Sequence, residues 1–249
     1  MGKKGAQRHM KRQVSPVFWT IPRKGYVWTV KPSPGPHRIR ESIPLGIVLR
    51  DLMGYAETLR EAEIILKSGK VEVDGRTRRD EGLPVGLMDV VEMPESKQYF
   101  RLLPSRKGVI LHPITKEEST FKLCRVESKT TVNEGHIQYN LHDGANLLVK
   151  TNNPLRPAGT SYKRYDALKV TVPQIIVLDH LKFAEGILAL VTGGESRGRY
   201  GKVQSIEKRG NFPDTVTLTT SNKEEVRTIA DYVIPIGSDS PLISLPKGV

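Results

Sequence analysis

The chain has 249 residues, 37% of them apolar, which leaves room for one to three domains but is lean for one large core. Its formal charge of +12, from 39 Lys and Arg against 27 Asp and Glu, makes a polyanion the first candidate partner. The single cysteine, Cys124, excludes a disulfide framework and a Cys-rich zinc site, and no apolar run approaches the roughly 18 residues of a membrane span.

The first forty residues hold ten Lys and Arg and no carboxylate, so most of the excess charge sits there. Lys3, Lys4, Arg8, Lys11, Arg12, Arg23, Lys24, Lys31, Arg38 and Arg40 are interleaved with Phe18, Trp19, Tyr26 and Trp28. Proline at 16, 22, 32, 34 and 36 prevents a long helix and favours extended chain. The segment has no periodic apolar face with which to fold alone. It also lacks the apolar stretch of a secretory signal, so a reducing, cytoplasmic setting is expected. Cations neutralise phosphates and flat aromatics stack on unpaired bases. The reading is an extended arm that orders on nucleic acid through these cations with Trp19 and Trp28. The alternative is that the tryptophans dock on the protein's own next domain. His37, in "PGPHRIR", is read as a phosphate or base contact rather than a metal ligand.

The run "IPLGIVLRDLM" at 43–53 has helical apolar spacing with Pro44 near its start. A second helix opens at Thr58, whose partner Glu61 completes a capping-box pattern, and stops near Gly69; Leu59, Ala62, Ile65 and Leu66 form its apolar face. A short strand, an Asp-Gly turn at 74–75, a basic cluster and a strand at 89–93 follow. Residues 106–185 read as short β-branched strands broken by Gly, Asn-Pro and Glu-Gly, with Cys124 as a small buried apolar group. His136, His142 and Asp143 are a conceivable metal cluster, but without cysteine partners they are read as polar groups on a solvated strand. The pairs Glu117-Glu118 and Glu224-Glu225 are read as solvated turns. Residues 187–235 continue as strands of about five residues, the spacing of a small barrel.

"GGESRGRYGKV", residues 193–203, tests three chemistries. Gly194-Glu195-Ser196-Arg197-Gly198 fits the G-x-S-x-G nucleophile elbow, but all six histidines precede Ser196 and an alternating, strand-like stretch follows it. Gly201-Lys202 lacks the Ser or Thr of a phosphate-binding Walker loop, and the G-x-G-x-x-G pattern is absent. What remains is an apolar strand followed by Gly194, Gly198, Gly201 and Val203 in Gly-x-x-x-Gly-x-x-Gly-x-Val spacing. This resembles the KOW motif, the strand–loop–strand element of SH3-like barrels in ribosomal proteins and elongation factors. The resemblance places Arg197, Arg199, Tyr200 and Lys202 on the loop as phosphate and stacking contacts.

Residues 43–93, through "MGYAETLREAEIILKSGKVEVDGR", resemble the S4-type RNA-binding domain, with Arg60, Lys67, Lys70, Arg76, Arg78 and Arg79 as its candidate contacts. A basic arm, an S4-type domain, a β-rich middle, a KOW element and "TIADYVIPIGSDSPLISLPKG" follow in that order, and the whole chain is similar to the archaeal and eukaryotic small-subunit ribosomal S4e family. The resemblance implies an α+β, mostly β architecture. It comprises an extended N-terminal arm (1–42), a small α/β S4-type domain (43–104), a β-rich central domain (105–175), an SH3-like KOW barrel (176–235) and a C-terminal tail (236–249). It further implies a non-enzymatic protein, without cofactor, metal, membrane or small-molecule substrate. Such a protein binds small-subunit ribosomal RNA beside neighbouring ribosomal proteins, by shape and backbone more than by base identity. The rival readings are an RNA-modifying enzyme of pseudouridine-synthase type carrying an S4-type module, and a KOW-bearing transcription factor.

Overall fold

A computed structural model describes residues 9–151, 162–210, 212–220 and 224–246. The N-terminal arm is extended, as its prolines require, but it is docked on the protein itself. Met10–Lys11 pairs antiparallel with Trp28–Thr29, and between them the chain loops inward. Phe18, Trp19 and Ile21 enter one apolar core with Ile43, Leu45, Ile47, Leu49, Leu66 and Val85. Trp19 is only 2% exposed, and its indole N–H donates to the Ser42 carbonyl at 2.8 Å. The arm therefore takes its order from the neighbouring domain, which supplies the apolar partners that the segment lacks by itself.

The expected first helix begins later than its apolar spacing suggested. Ser42–Pro44 is a strand paired with Pro84–Gly86, and the helical turn Leu45–Ile47 passes into a π-helical turn, Val48–Leu52. The second helix, Leu59–Lys67, starts as its cap predicts: the Glu61 N–H donates to Thr58 Oγ1, and the Glu61 carboxylate accepts from the Glu57 N–H at 2.9 Å. Ala62 and Leu66 are its buried residues. Asp74 and Gly75 both have positive φ and join Glu72–Val73 to Arg76–Thr77 in a two-residue hairpin, the backbone of a type I′ turn.

Three five-stranded antiparallel sheets make up most of the remainder. The first runs in the order Arg76–Thr77, Glu72–Val73, Val90–Met93, Gln98–Ser105, Gly108–Pro113. The hairpin of its last two strands straddles residue 104. The second runs Asn146–Val149, Ile137–Leu141, Phe121–Thr131, Ala167–Thr171, Val177–Leu181. Its long strand bulges between Val126 and Ser128 and thereby serves two partners, Ala167–Thr171 along its first half and Ile137–Leu141 along its second. The third runs Glu225–Ile229, Thr215–Thr220, Tyr200–Glu207, Leu188–Val191, Val233–Gly237, with a 3₁₀ turn, Ala230–Tyr232, before the last strand. This five-stranded antiparallel sheet spans the stretch for which an SH3-like barrel is expected. Met88 from the turn before Val90–Met93, with Leu103, Leu123, Ala167 and Leu181 from the first two sheets, shares an apolar core with Ala189, Val203, Leu218 and Ile234 from the third. The sheets are thus fixed against one another by common burial.

Candidate nucleic-acid interface

In the strand–loop–strand at 188–207, Gly194 and Gly198 have φ of +76° and +86°, the left-handed conformations that let the loop reverse. A Cβ on Gly201 would collide with the Thr219 carbonyl, so the third glycine lets two strands approach closely. Ser196 lies on the turn, where its carbonyl accepts from the Arg199 N–H at 3.2 Å, and the strand Tyr200–Glu207 follows in place of the helix that a nucleophile elbow needs.

The cations selected from the sequence divide into exposed and internally engaged groups. In the arm, Lys11, Lys24, Arg38 and Arg40 are exposed and Lys31 is half-buried; Lys3, Lys4 and Arg8 lie outside the described residues. Trp28 is 56% exposed, with the His9 ring 5.8 Å away, and Tyr26 beside it is exposed under the Arg12 guanidinium. Three arm contacts expected on RNA are structural instead. Arg12 is buried and donates to the carbonyls of Trp28 and Pro22. Arg23 donates to the carbonyls of Ser15 and Pro16 at 2.8 Å each, and Trp19 is sealed in the core. Extended chain leaves many carbonyls without partners, and these two guanidiniums satisfy them.

On the S4-type module Arg60, Lys67, Lys70, Arg76 and Arg79 are exposed and Arg78 is half-buried. Arg79 Nη2 lies 4.0 Å from where a Cβ on Gly69 would stand, just past the C-terminal end of the second helix. Lys67 faces Glu63 at 3.4 Å and Lys70 faces Glu95 at 3.0 Å, both open to water and therefore weak. Arg76 donates to the Pro173 carbonyl at 3.2 Å. On the barrel loop Lys202 is exposed, and Arg199 pairs with Glu224 at 3.0 Å. Tyr200 is half-buried against the apolar core. Arg197 is half-buried; its Nε donates to the Thr192 carbonyl at 2.9 Å and its guanidinium lies over the Phe18 ring, so the loop is clamped to the arm. Burial pulls the Arg197 pKa down, though not enough to threaten a guanidinium charge.

Two arrangements were not legible in the sequence. The first is a buried ion cluster joining arm, S4-type module and central sheet. Lys122 Nζ stands 2.6 Å from Asp74, 2.5 Å from Asp143 and 3.4 Å from Asp89, and His37 Nε2 stands 2.7 Å from Asp89. Burial opposes the charge on Asp89, but His37 and Lys122 hold its pKa well below the usual carboxylate range. Burial and the Asp89 charge push Asp74 up to about 6 against the pull of Lys122. For His37 burial is the largest influence and is downward, yet Asp89 leaves its pKa raised. His37 is therefore a buried partner of Asp89, not a phosphate contact. Asp143 is likewise buried, and His142 is half-buried with both ring nitrogens engaged inside the protein, so neither is a solvated group. Burial pushes the His142 pKa down to about 4, its Nδ1 accepts the Arg125 N–H, and its Nε2 lies 3.2 Å from the Leu87 carbonyl. Glu118, read as solvated, accepts from the Ser244 N–H and hydroxyl, tying the C-terminal segment to the central sheet.

The second is a cleft of about 760 Å³ where arm, S4-type module, central sheet and barrel meet. Arginines 38, 40, 125, 164 and 197 line it against Glu41, Glu127 and Asp231. Arg125 is spent internally: it pairs with Glu127 and donates to the carbonyls of Asp231 and Val233. Arg164 pairs with Asp231 at 2.9 Å.

Comparison with known proteins accords with this arrangement. The sequence profile described as ribosomal family S4e matches residues 96–175, an RS4NT (NUC023) domain matches 4–40, and an S4 domain matches 47–91. The chain is 45% identical to the small ribosomal subunit protein eS4 of Desulfurococcus amylolyticus, over 100% of this chain and 99% of that protein. It is also 45% identical to the protein of that name in Methanocaldococcus jannaschii, over 98% and 100%. The crystal structure of the 30S ribosomal protein S4e from Thermoplasma acidophilum superposes with a TM-score of 0.67 at 30% identity, covering 80% of this chain and 96% of that one.

Proposed function

The chain belongs to ribosomal family S4e, and on that ground we propose that it is a structural constituent of the small ribosomal subunit in the cytoplasm. It binds small-subunit ribosomal RNA beside neighbouring ribosomal proteins and supports the folding and assembly of that RNA. The observation that carries this reading is the full-length match to relatives named small ribosomal subunit protein eS4, joined to exposed cations on the arm, the S4-type module and the barrel. Lys11, Lys24, Trp28, Arg38 and Arg40 serve for the arm, Arg60, Lys67, Lys70, Arg76 and Arg79 for the S4-type module, and Arg199 and Lys202 for the barrel. Such contacts neutralise phosphate and read shape, and they carry little base information. The protein acts without catalysis in this reading; the rival enzymatic reading draws no support from the relatives named above. Affinity for small-subunit RNA measured across a salt series tests the proposal. Counterion release predicts a steep linear fall of log K with log salt. A flat curve, together with failure to cosediment stoichiometrically with the subunit, overturns the proposal.

A further inference from the structure

We propose that the cleft between the four modules holds a single unstacked nucleotide of an RNA strand, with its phosphates on Arg38 and Arg40 and its base against Tyr232. This rests on the RNA-binding reading above and deepens it by naming the form of the ligand and where it is held. At about 760 Å³ the cleft has the size of sites that enclose one small ligand, roughly 300–1,000 Å³, and is far too small to admit a double helix. Its charge is unevenly satisfied. Among the described residues the guanidiniums of Arg38 and Arg40 have no ion pair or hydrogen bond, and Arg197 has no carboxylate partner. Glu127 and Asp231 are already taken up by Arg125 and Arg164, which leaves Glu41 as the one unpaired carboxylate in the lining against three arginines.

The aromatic is positioned as a platform. Tyr232 is 41% exposed, yet its ring rests on the backbone at Gly193 and Gly194. A Cβ added at Gly193 would come within 2.5 Å of Tyr232 Cδ1, so only glycine lets the ring lie there. The Thr192 N–H and hydroxyl both donate to the Tyr232 carbonyl, fixing the backbone beneath the ring. An aromatic face beside arginine planes in a concave site is the equipment for a splayed-out base of single-stranded, looped or bulged RNA.

The test uses the full chain and three probes: a short fluorescein-labelled single-stranded oligoribonucleotide, the same strand annealed to its complement, and free uridine monophosphate as competitor. Arg38→Ala with Arg40→Ala is expected to lower single-strand affinity about tenfold and to reduce the magnitude of its salt slope by about 1.4. Tyr232→Leu is expected to lower single-strand affinity about tenfold while leaving the salt slope unchanged, because stacking carries no counterions. Both variants should keep the wild-type circular dichroism; Tyr232→Leu should keep the wild-type duplex affinity, and the double arginine variant should lose less affinity for the duplex than for the single strand. Unchanged single-strand binding in both variants, or an equal loss on the duplex, overturns the cleft assignment. Displacement of the oligonucleotide by stoichiometric uridine monophosphate assigns the cleft to a free nucleotide and overturns the RNA assignment. If the unaltered chain binds small-subunit RNA but the variants show none of these effects, the cleft proposal fails alone. If it does not bind that RNA, the underlying reading fails first.

Discussion

Replacing Lys122 with methionine removes the one ammonium shared by two buried carboxylates, Asp89 and Asp143, and the half-buried Asp74. The lysine side chain is 6% exposed, with Asp143 at 2.5 Å, Asp74 at 2.6 Å and Asp89 at 3.4 Å. Breaking a buried ion pair from one side costs about 3–5 kcal/mol, because the abandoned charge stays out of water. For a chain of this size each kcal/mol moves Tm by about 2–4 °C, so a fall of about 10 °C is expected near neutral pH. The sign with pH follows from the shifts. The depressed Asp89 and Asp143 contribute stability present above the ordinary carboxylate range and lost as pH falls through their folded pKa values. His37, whose pKa is raised, contributes stability present below its ordinary value of 6.5 and lost as pH rises through its folded value. Asp74, raised to about 6, holds a proton in the folded state that the unfolded chain has released, so its contribution declines as pH rises from about 4 to 6. Without the ammonium the remaining carboxylates take up protons more readily. The gap between Lys122→Met and the unaltered chain should therefore be widest above pH 7 and narrow by pH 5. Thermal unfolding followed by circular dichroism at the two pH values measures it. A loss of less than about 1 kcal/mol, the size of an exposed pair, refutes the reasoning, as does a gap that widens on acidification.

Three further outcomes follow from single side chains. Trp19→Ala should cost about 3–5 kcal/mol in urea unfolding, as for a large aromatic lost from a core, whereas Trp28→Ala should leave stability unchanged and weaken RNA binding. Glu92 lies directly across from Glu72; burial and the charges of Glu72 and Asp74 push its pKa up to about 7. Its raised value makes the penalty grow as pH rises from about 4.5 to 7, so Glu92→Gln should stabilise by about 0.5–1 kcal/mol at pH 8 and have no effect at pH 4, read from paired melts. Gly201→Ala should destabilise by about 1–3 kcal/mol and raise amide exchange along Tyr200–Glu207 and Thr215–Thr220, because the methyl meets the Thr219 carbonyl.

Local chemistry was legible wherever the signal lay within a few residues. The cap Thr58 with Glu61, the turn Asp74-Gly75, and glycines 194, 198 and 201 each act over one turn of chain, and each adopts the conformation its spacing predicts. The order of the elements and the excess positive charge were equally readable, and with them the family. Which cations and aromatics face outward was not. Trp19 and Trp28 stand in the same basic, proline-rich stretch, and only the presence of Ile43, Leu45 and Val85 across the fold draws the first inward. Arg12 and Arg23 read as free charges until the extended backbone around them is seen to need donors. His37, Asp89, Lys122 and Asp143 come from separate stretches of sequence, and no periodicity announces that burial will force them together as a cluster. The sequence alone determined the local turns, the β-rich character and the excess positive charge that makes a polyanion the first candidate partner, because backbone propensity and net charge are properties of the chain itself. The tertiary structure decided burial, pairing and the four-module cleft, because those depend on which surfaces exclude water from one another.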